Sequence, residues 1–203
     1  MSLSETKNNL NNAQTDFDKI IHRQNTNCIK YDFAAERGYP EGIQSFWVAD
    51  MDFQAPAQVI DELIRRSAHG IFGYTAPKQD YYDTLADWFQ KHHGWQVSGE
   101  EVVITPGVVF ALSAAIRAFT SPGDGVIIQQ PVYYPFAQVV RENGRQLVNN
   151  PLIYQDGSYQ IDFEDFERKA ADENVKLFIL CSPHNPVGRV WRRDELLRLA
   201  EIC

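Results

Sequence analysis

The stretch KLFILCSPHNPVG, residues 176–188, joins a continuously apolar run to a rigid segment that contains two prolines. A short apolar run of this kind predicts a strand in the middle of a parallel sheet. Because open α/β sheets bind ligands beyond the carboxyl ends of their strands, Asn185 is predicted to lie at a ligand-binding edge. Its side-chain amide suits a phenolic or carbonyl oxygen. The alternative is an Asn-Pro turn in which the Asn185 side chain binds its own backbone.

A second stretch, VIIQQPVYYPF at residues 126–136, repeats this arrangement of a β-branched run followed by proline. It predicts that Tyr133 lies just past the carboxyl end of a strand, where an aromatic ring can stack on a planar ligand. The alternative is that Tyr133 or Tyr134 packs within the loop. The sequence leaves both interpretations open.

A third stretch, TPGVV at residues 105–109, lies between a predicted strand at 102–105 and a predicted helix from Val108 to Phe119. The helix is apolar nearly all round, which predicts that it is buried. The unpaired N–H groups of Val108 and Val109 at the start of such a helix form a site for an anion. The alternative is an ordinary strand-to-helix turn that uses Gly107.

β-Branched runs and helical patterns alternate along the centre of the chain, and this alternation predicts an α/β fold. Further helices are predicted between Pro56 and Gly70, from Tyr81 to His93, from Pro135 to Glu142, after an N-cap at Asp162, and from Arg192 onward.

The composition excludes several classes of function. The 203 residues carry a formal charge of −8 without any basic block, which argues against a nucleic-acid partner. Three widely spaced cysteines provide neither a disulfide framework nor a zinc site, so no metal site is predicted. No apolar run approaches the ~20 residues that span a bilayer, and the N-terminus lacks a signal-peptide pattern. We therefore expect a cytoplasmic protein with no membrane partner, and a mobile or partner-dependent arm at residues 1–28.

An anion site, a stacking aromatic ring and an oxygen-binding amide at one sheet edge together indicate a planar, phosphorylated, oxygenated ring. Pyridoxal 5'-phosphate (PLP) is such a ligand. The order and spacing of the three motifs resemble the fold-type I PLP enzymes of the class I and II aminotransferase family, from about Phe17 to Cys203. The resemblance includes WVADMDFQAP at 47–56 and GIFGYT at 70–75. The first of these looks like the MalY/PatB-type cystathionine β-lyases.

The resemblance implies a fold and a division into domains. Residues 46–203 are expected to form the large PLP-binding α/β domain, with three layers around a mostly parallel sheet, incomplete at its C-terminus. Residues 1–45 are expected to form an N-terminal arm and part of the small domain.

The resemblance also implies roles for single residues. Gly107, Val108 and Val109 match the positions that contact the PLP phosphate. Tyr133 matches the residue that stacks on the pyridine ring, and Asn185 matches the residue that binds the ring's phenolic oxygen.

Two further matches concern the substrate and the dimer. Ala49 and Asp50 lie in the loop that lines the substrate carboxylate pocket of the family. Tyr74 matches a tyrosine that reaches toward the phosphate site of the neighbouring subunit, which implies a homodimer. The alternative is a core tyrosine between Phe72 and Pro77.

The chain departs from the family's pattern in its catalytic residues. The family forms a Schiff base between PLP and a lysine that follows the NPxG segment, and an Asp and arginines also lie there. None of the chain's lysines lies in a comparable Ser/Lys-rich stretch, so the Schiff-base lysine is expected beyond Cys203 and this chain alone is expected to be inactive.

The parent enzyme is expected to act on an amino acid. WVADMDF favours a C–S β-lyase of the cystathionine β-lyase type, with a class I/II aminotransferase as the alternative. An alternative of another class is a non-catalytic pseudoenzyme or interaction module.

Overall fold

The computed structural model describes residues 16–40 and 42–203, which belong to two compact units. The first unit ends at Ala76 and the second runs from Pro77 to Cys203. The predicted domain division at residues 45 and 46 stays a prediction. The part of the predicted arm at residues 1–15 lies outside the described residues.

The described part of the first unit consists of turns followed by one helix, α1 (Ala57–His69). Gly70 ends this helix in a left-handed conformation, with φ 73°, and its N–H donates to the Ser67 carbonyl. Glycine adopts this conformation without the steric cost of a Cβ atom, so the predicted helix end is confirmed.

The second unit alternates helices and strands. Its elements are α2 (Gln79–His93), a 3-10 turn (Gly99–Glu101), α3 (Val108–Phe119), β1 (Gly125–Ile128), α4 (Pro135–Glu142), β2 (Gln146–Asn149), β3 (Ile153–Gln155), β4 (Ser158–Gln160), α5 (Phe163–Ala170), β5 (Val175–Phe178) and α6 (Arg193–Ile202). The predicted N-cap of α5 is confirmed, because the Asp162 side chain accepts a hydrogen bond from the Asp165 N–H at 3.0 Å.

Three strands form a parallel sheet in the order β2-β1-β5. Val126 of β1 lies opposite Leu147 of β2 and Leu177 of β5. Strands β3 and β4 form a separate antiparallel hairpin. Its turn residues Asp156 and Gly157 both have positive φ, as the tightest hairpin turns require.

The central strand β1 separates two hydrophobic clusters. Val126 and Ile128 pack with Ile116 of α3 and with buried residues of α4, whereas Ile127 packs with Phe166 of α5 and with α6. Side chains alternate between the two faces of a strand, so this division places helices on both faces of the sheet. The predicted three-layer α/β fold is therefore confirmed.

Two expectations around α3 are wrong. Residues 102–105 pair with no strand among the described residues, and Val103 is 85% exposed. The helix α3 has the predicted bounds, but only Ile116 in it is buried, and Phe119 is 72% exposed. The physical reason is that one face of α3 packs on the sheet and α4, while no described residue covers the other face.

The expectation for residues 176–181 is partly wrong. A strand forms at 175–178, but it is an edge strand of the described sheet, and the middle strand is β1. Continuous apolarity reports burial on two faces and not the position within a sheet. The strand β2 and the β3–β4 hairpin were not predicted, because their short segments mix polar and apolar residues without a clear period.

Candidate functional site

The N-terminus of α3 presents free N–H groups. Gly107 is its N-cap, with φ 150°, and no side chain caps the helix. The first helical hydrogen bond of this turn runs from the Ala111 N–H to the Gly107 carbonyl at 3.1 Å. A Cβ placed on Gly107 would meet no atom within 4 Å, so the space in front of the exposed Val108 and Val109 is open. Such an uncapped end can bind an anion.

The direction of α3 brings this N-terminus to the carboxyl edge of the sheet. The helix ends at Phe119 and β1 begins at Gly125, so the C-terminal end of α3 lies at the amino edge of the sheet. Arg145, just before β2, holds that end, since its side chain donates to the Thr120 hydroxyl at 2.8 Å and to the Thr120 carbonyl at 2.5 Å. A helix packed in this orientation points its first residues toward the carboxyl ends of the strands.

Tyr133 lies in the loop that follows β1, at the same edge. Its ring contacts Phe136 edge-on, with centroids 6.2 Å apart, and lies 5.5 Å from the ring of Tyr134. Tyr133 is 38% exposed and Tyr134, at the N-cap of α4, is 69% exposed. Tyr133 is thus held by neighbouring rings while part of it stays open to a ligand, whereas Tyr134 is more open to solvent.

Asn185 lies in the loop that follows β5, which pairs directly with β1. Its backbone N–H points to the Cys181 sulfur at 3.5 Å, and its exposed side-chain amide makes no hydrogen bond within the described part of the chain. The alternative of a turn in which the Asn185 side chain binds its own backbone is therefore not the observed arrangement. The amide is free to bind an oxygen of a ligand.

His184 is a residue of this edge that the sequence analysis misses. Its ring is 1% exposed, and its Nε2 lies 3.1 Å from the Gln129 carbonyl and 3.0 Å from the Pro131 carbonyl. The loop that carries Asn185 is thereby joined to the loop that carries Tyr133. The signal in the sequence is weak, since a lone histidine between two prolines has no spacing that marks it.

A buried polar network supports the edge from below. The Gln129 amide donates to Asn150 at 2.9 Å, and the Asn150 amide donates to the Asp162 carbonyl at 3.0 Å and to Asp165 at 2.8 Å. Although burial opposes it, hydrogen bonds from Lys169 and Asn150 hold the pKa of the Asp165 carboxyl below its ordinary value. The network ties the ends of β1 and β2 to the start of α5.

The predicted residues Ala49 and Asp50 belong to the first unit, and both are exposed there. Asp50 forms an ion pair with Arg23, and the Lys30 ammonium donates to the Asp50 carbonyl at 3.2 Å. Arg23 also bonds Asp52 at 2.6 Å and holds the pKa of that carboxyl below its ordinary value. The loop around Asp50 is thus tied to the preceding segment by compensated charges.

Tyr74 also belongs to the first unit and is fully exposed. The alternative of a core tyrosine is therefore not the observed arrangement. An exposed tyrosine is available to a partner.

The geometry of the second unit fits a ligand with an anionic group, a flat ring and a ring oxygen. Residues 46–203 match the family described as aminotransferase class I and II. The chain belongs to the class I and II aminotransferase family. Within this family it is 50% identical over 187 residues to cystathionine β-lyase PatB of Bacillus subtilis, an alignment that covers 92% of this chain and 48% of PatB.

A second sequence relative and a crystal structure are also similar to this chain. Protein MalY of Escherichia coli is 34% identical over 189 residues, which cover 93% of this chain and 48% of MalY. The crystal structure of cystalysin from Treponema denticola, which contains a PLP cofactor, superimposes with a TM-score of 0.84 at 38% identity. The superposition covers 93% of this chain and 48% of the cystalysin chain. The fold of this chain is therefore that of the PLP enzymes.

The chain thus spans about half the length of these relatives. In the part of the chain that the structure describes, no helix has the length and apolarity needed to cross a membrane.

Proposed function

We propose that this chain is the N-terminal part of a PLP-dependent enzyme that acts on an amino acid. The observation that carries this proposal is the meeting of three features at one sheet edge: the uncapped start of α3, the ring of Tyr133 and the free amide of Asn185. The similarity to PLP-containing cystalysin supports it.

Each feature has a role toward the cofactor. The N–H groups at Gly107, Val108 and Val109 would bind the phosphate, because the start of a helix is electropositive. Tyr133 would stack on the pyridine ring. Asn185 would donate a hydrogen bond to the phenolic oxygen.

PLP supplies an electron sink for the carbanion that forms at the α-carbon of an amino acid. The loop of Ala49 and Asp50 would line the pocket for the substrate carboxylate. Asp50 forms an ion pair with Arg23, so its own negative charge is compensated. Without Arg23, the negative charge of the Asp50 side chain would repel the carboxylate of the substrate.

The reaction we propose is cleavage of a carbon–sulfur bond by β-elimination, with release of a thiol. The 50% identity to PatB supports this choice over the alternative, transfer of the amino group. The family itself is described by aminotransferase activity, which keeps transamination as the second candidate. We also propose a homodimer in the cytoplasm, with Tyr74 reaching the phosphate site of the partner subunit.

The test uses protein expressed from the complete coding sequence and supplied with PLP. The protein should release a free thiol from L-cystathionine, measured with a thiol-reactive dye. When it is given an amino acid and a keto acid, it should transfer little of the amino group from one to the other. Protein stripped of PLP is the control. Transfer without thiol release would select the aminotransferase alternative, and neither activity in a folded, PLP-saturated protein would favour the non-catalytic module.

A further inference from the structure

The His184 side chain is buried in a position that joins two loops. Its Nε2 lies within hydrogen-bond distance of the carbonyls of Gln129 and Pro131, both in the loop after β1. Its backbone N–H donates to the Arg189 carbonyl at 2.7 Å, which fixes the loop after β5. The ring packs edge-on against the buried Trp191, with centroids 5.3 Å apart.

The partners of the ring identify its protonation state. Both neighbours of Nε2 are carbonyl oxygens, which only accept hydrogen bonds, so Nε2 carries a proton. Nδ1 is buried and has no hydrogen-bond partner within the described residues. Burial lowers the pKa of His184, against the opposing effect of the Pro131, Gln129 and Cys181 carbonyls, which favours the neutral ring. His184 is therefore a neutral imidazole that donates from Nε2.

The two loops that His184 joins carry Tyr133 and Asn185, the residues predicted to contact the ring of PLP. Pro131 precedes Tyr133 by two residues, and His184 directly precedes Asn185. His184 is 1% exposed, whereas Asn185 is exposed. A shift of either loop would change the distance between the ring of Tyr133 and the amide of Asn185.

We infer that His184 is a positioning residue, whose Nε2–H holds the loops of Tyr133 and Asn185 in register so that the Asn185 amide meets the phenolic oxygen of PLP. This inference rests on the proposed PLP site and adds to it a residue that does not touch the cofactor. His184 acts through Asn185, and its loss mimics the loss of the Asn185 amide.

Two variants separate the donor from the bulk of the side chain. His184→Gln keeps an N–H donor at the end of the side chain, whereas His184→Phe keeps a flat ring and removes the donor. Phe166→Leu, in the buried cluster that also contains Trp191, is the control for a general loss of packing and stability. All are made in the protein expressed from its complete coding sequence.

The first readout is the pH midpoint of the visible absorption of bound PLP, with the PLP dissociation constant as the second. His184→Phe should raise the midpoint in the same direction as Asn185→Ala and weaken PLP binding roughly threefold to tenfold, the effect of one lost hydrogen bond. His184→Gln should restore both values, and Phe166→Leu should leave the midpoint unchanged. The double variant should show no larger midpoint shift than Asn185→Ala alone, because both substitutions act on the contact between the Asn185 amide and the phenolic oxygen of PLP.

A third readout, hydrogen exchange of the backbone at 129–134 and 182–188, does not depend on PLP. His184→Phe should speed exchange in both segments, and His184→Gln should not. A wild-type protein that fails to bind PLP overturns the proposed function, while the exchange data still decide whether His184 joins the loops. A His184→Phe protein with an unchanged midpoint, or with exchange increased no more than in Phe166→Leu, overturns the inference.

Discussion

Two adjacent residues, His184 and Asn185, have opposite environments within one short loop. The ring of His184 is buried and bonded to carbonyls of the neighbouring loop, whereas the amide of Asn185 is exposed and bonded to nothing in the described part of the chain. The carbonyls of Gln129 and Pro131 pair the Nε2 of His184, whose loss of a partner inside the protein would cost about 1–3 kcal/mol. Asn185 is exposed and is left free for a ligand.

Substitution of Asn185 should separate cofactor tuning from cofactor binding. An amide N–H donated to the phenolic oxygen of PLP stabilises the oxygen's anion, so the adjacent nitrogen of the lysine–PLP link loses its shared proton at lower pH. Asn185→Ala should therefore raise the pH midpoint of the colour change in a spectroscopic titration. The protein should retain much of its PLP affinity, because the helix start at Gly107 and the ring of Tyr133 remain. An unchanged midpoint would mean that Asn185 only shapes its turn.

Substitution of the two adjacent tyrosines should have unequal effects. Tyr133→Ala removes the ring predicted to stack on PLP and should weaken PLP retention by roughly 1 kcal/mol, a typical value for an aromatic pair. Tyr134→Ala should have a smaller effect, because Tyr134 is 69% exposed at the start of α4. The PLP dissociation rates of the two variants, measured side by side, decide this. A larger effect for Tyr134 would identify it as the stacking residue instead.

At the scale of elements, the candidate site residues lie at the ends of helices and strands. The start of α3 offers free N–H groups, and the loops after β1 and β5 offer a ring and an amide. Because β1 and β5 are parallel neighbours, these two loops leave the sheet at one edge. The buried bonds of Gln129, Asn150 and Asp165 hold the ends of the strands in place beneath that edge.

Removal of Asn150 should destabilise the fold through this network. Asn150 is fully buried, and Asn150→Ala would leave the Gln129 amide without its acceptor and Asp165 without one of its donors. We expect a loss of about 1–3 kcal/mol in the free energy of unfolding, measured by urea denaturation. The matched control is Asn174→Ala, an exposed asparagine in a turn, which should change stability by less than about 0.5 kcal/mol. Equal effects of the two substitutions would contradict a structural role for the network.

At the scale of the whole molecule, the described residues leave apolar surface uncovered. Val103 is 85% exposed and Phe119 is 72% exposed, although both belong to segments whose sequence favours burial. The chain spans about half the length of PatB and MalY. The chain contains the sheet edge that we propose binds the cofactor, while the family's lysine has no counterpart among the motifs of this chain.

The 203-residue polypeptide should therefore bind no PLP covalently. Mixed with PLP, it should not develop a visible absorption that borohydride converts into a stable link, because none of its lysines lies in a sequence that resembles the family's Ser/Lys-rich stretch. Intact-protein mass spectrometry after reduction measures this directly, with the protein from the complete coding sequence as the positive control. Stoichiometric attachment of PLP to one lysine of the 203 residues would show that a reactive lysine had been overlooked.

The sequence alone determined the local elements and predicted which residues form the candidate site. The bounds of α3 and α4, the cap at Asp162 and the helix end at Gly70 follow from short-range patterns of apolar residues, caps and glycine. The family resemblance followed from motifs of the same short range, and the match over residues 46–203 confirms it.

The tertiary structure decided what depends on distant neighbours. The apolar pattern of α3 could not tell that only one face would be covered, and the run at 176–181 could not tell a middle strand from an edge strand. His184 joins residues more than 50 positions apart in the chain, and no local pattern marks such a contact. Burial and hydrogen-bond partners are set by what packs against a segment, and for this reason the sequence predicted Asn185 but not the histidine beside it.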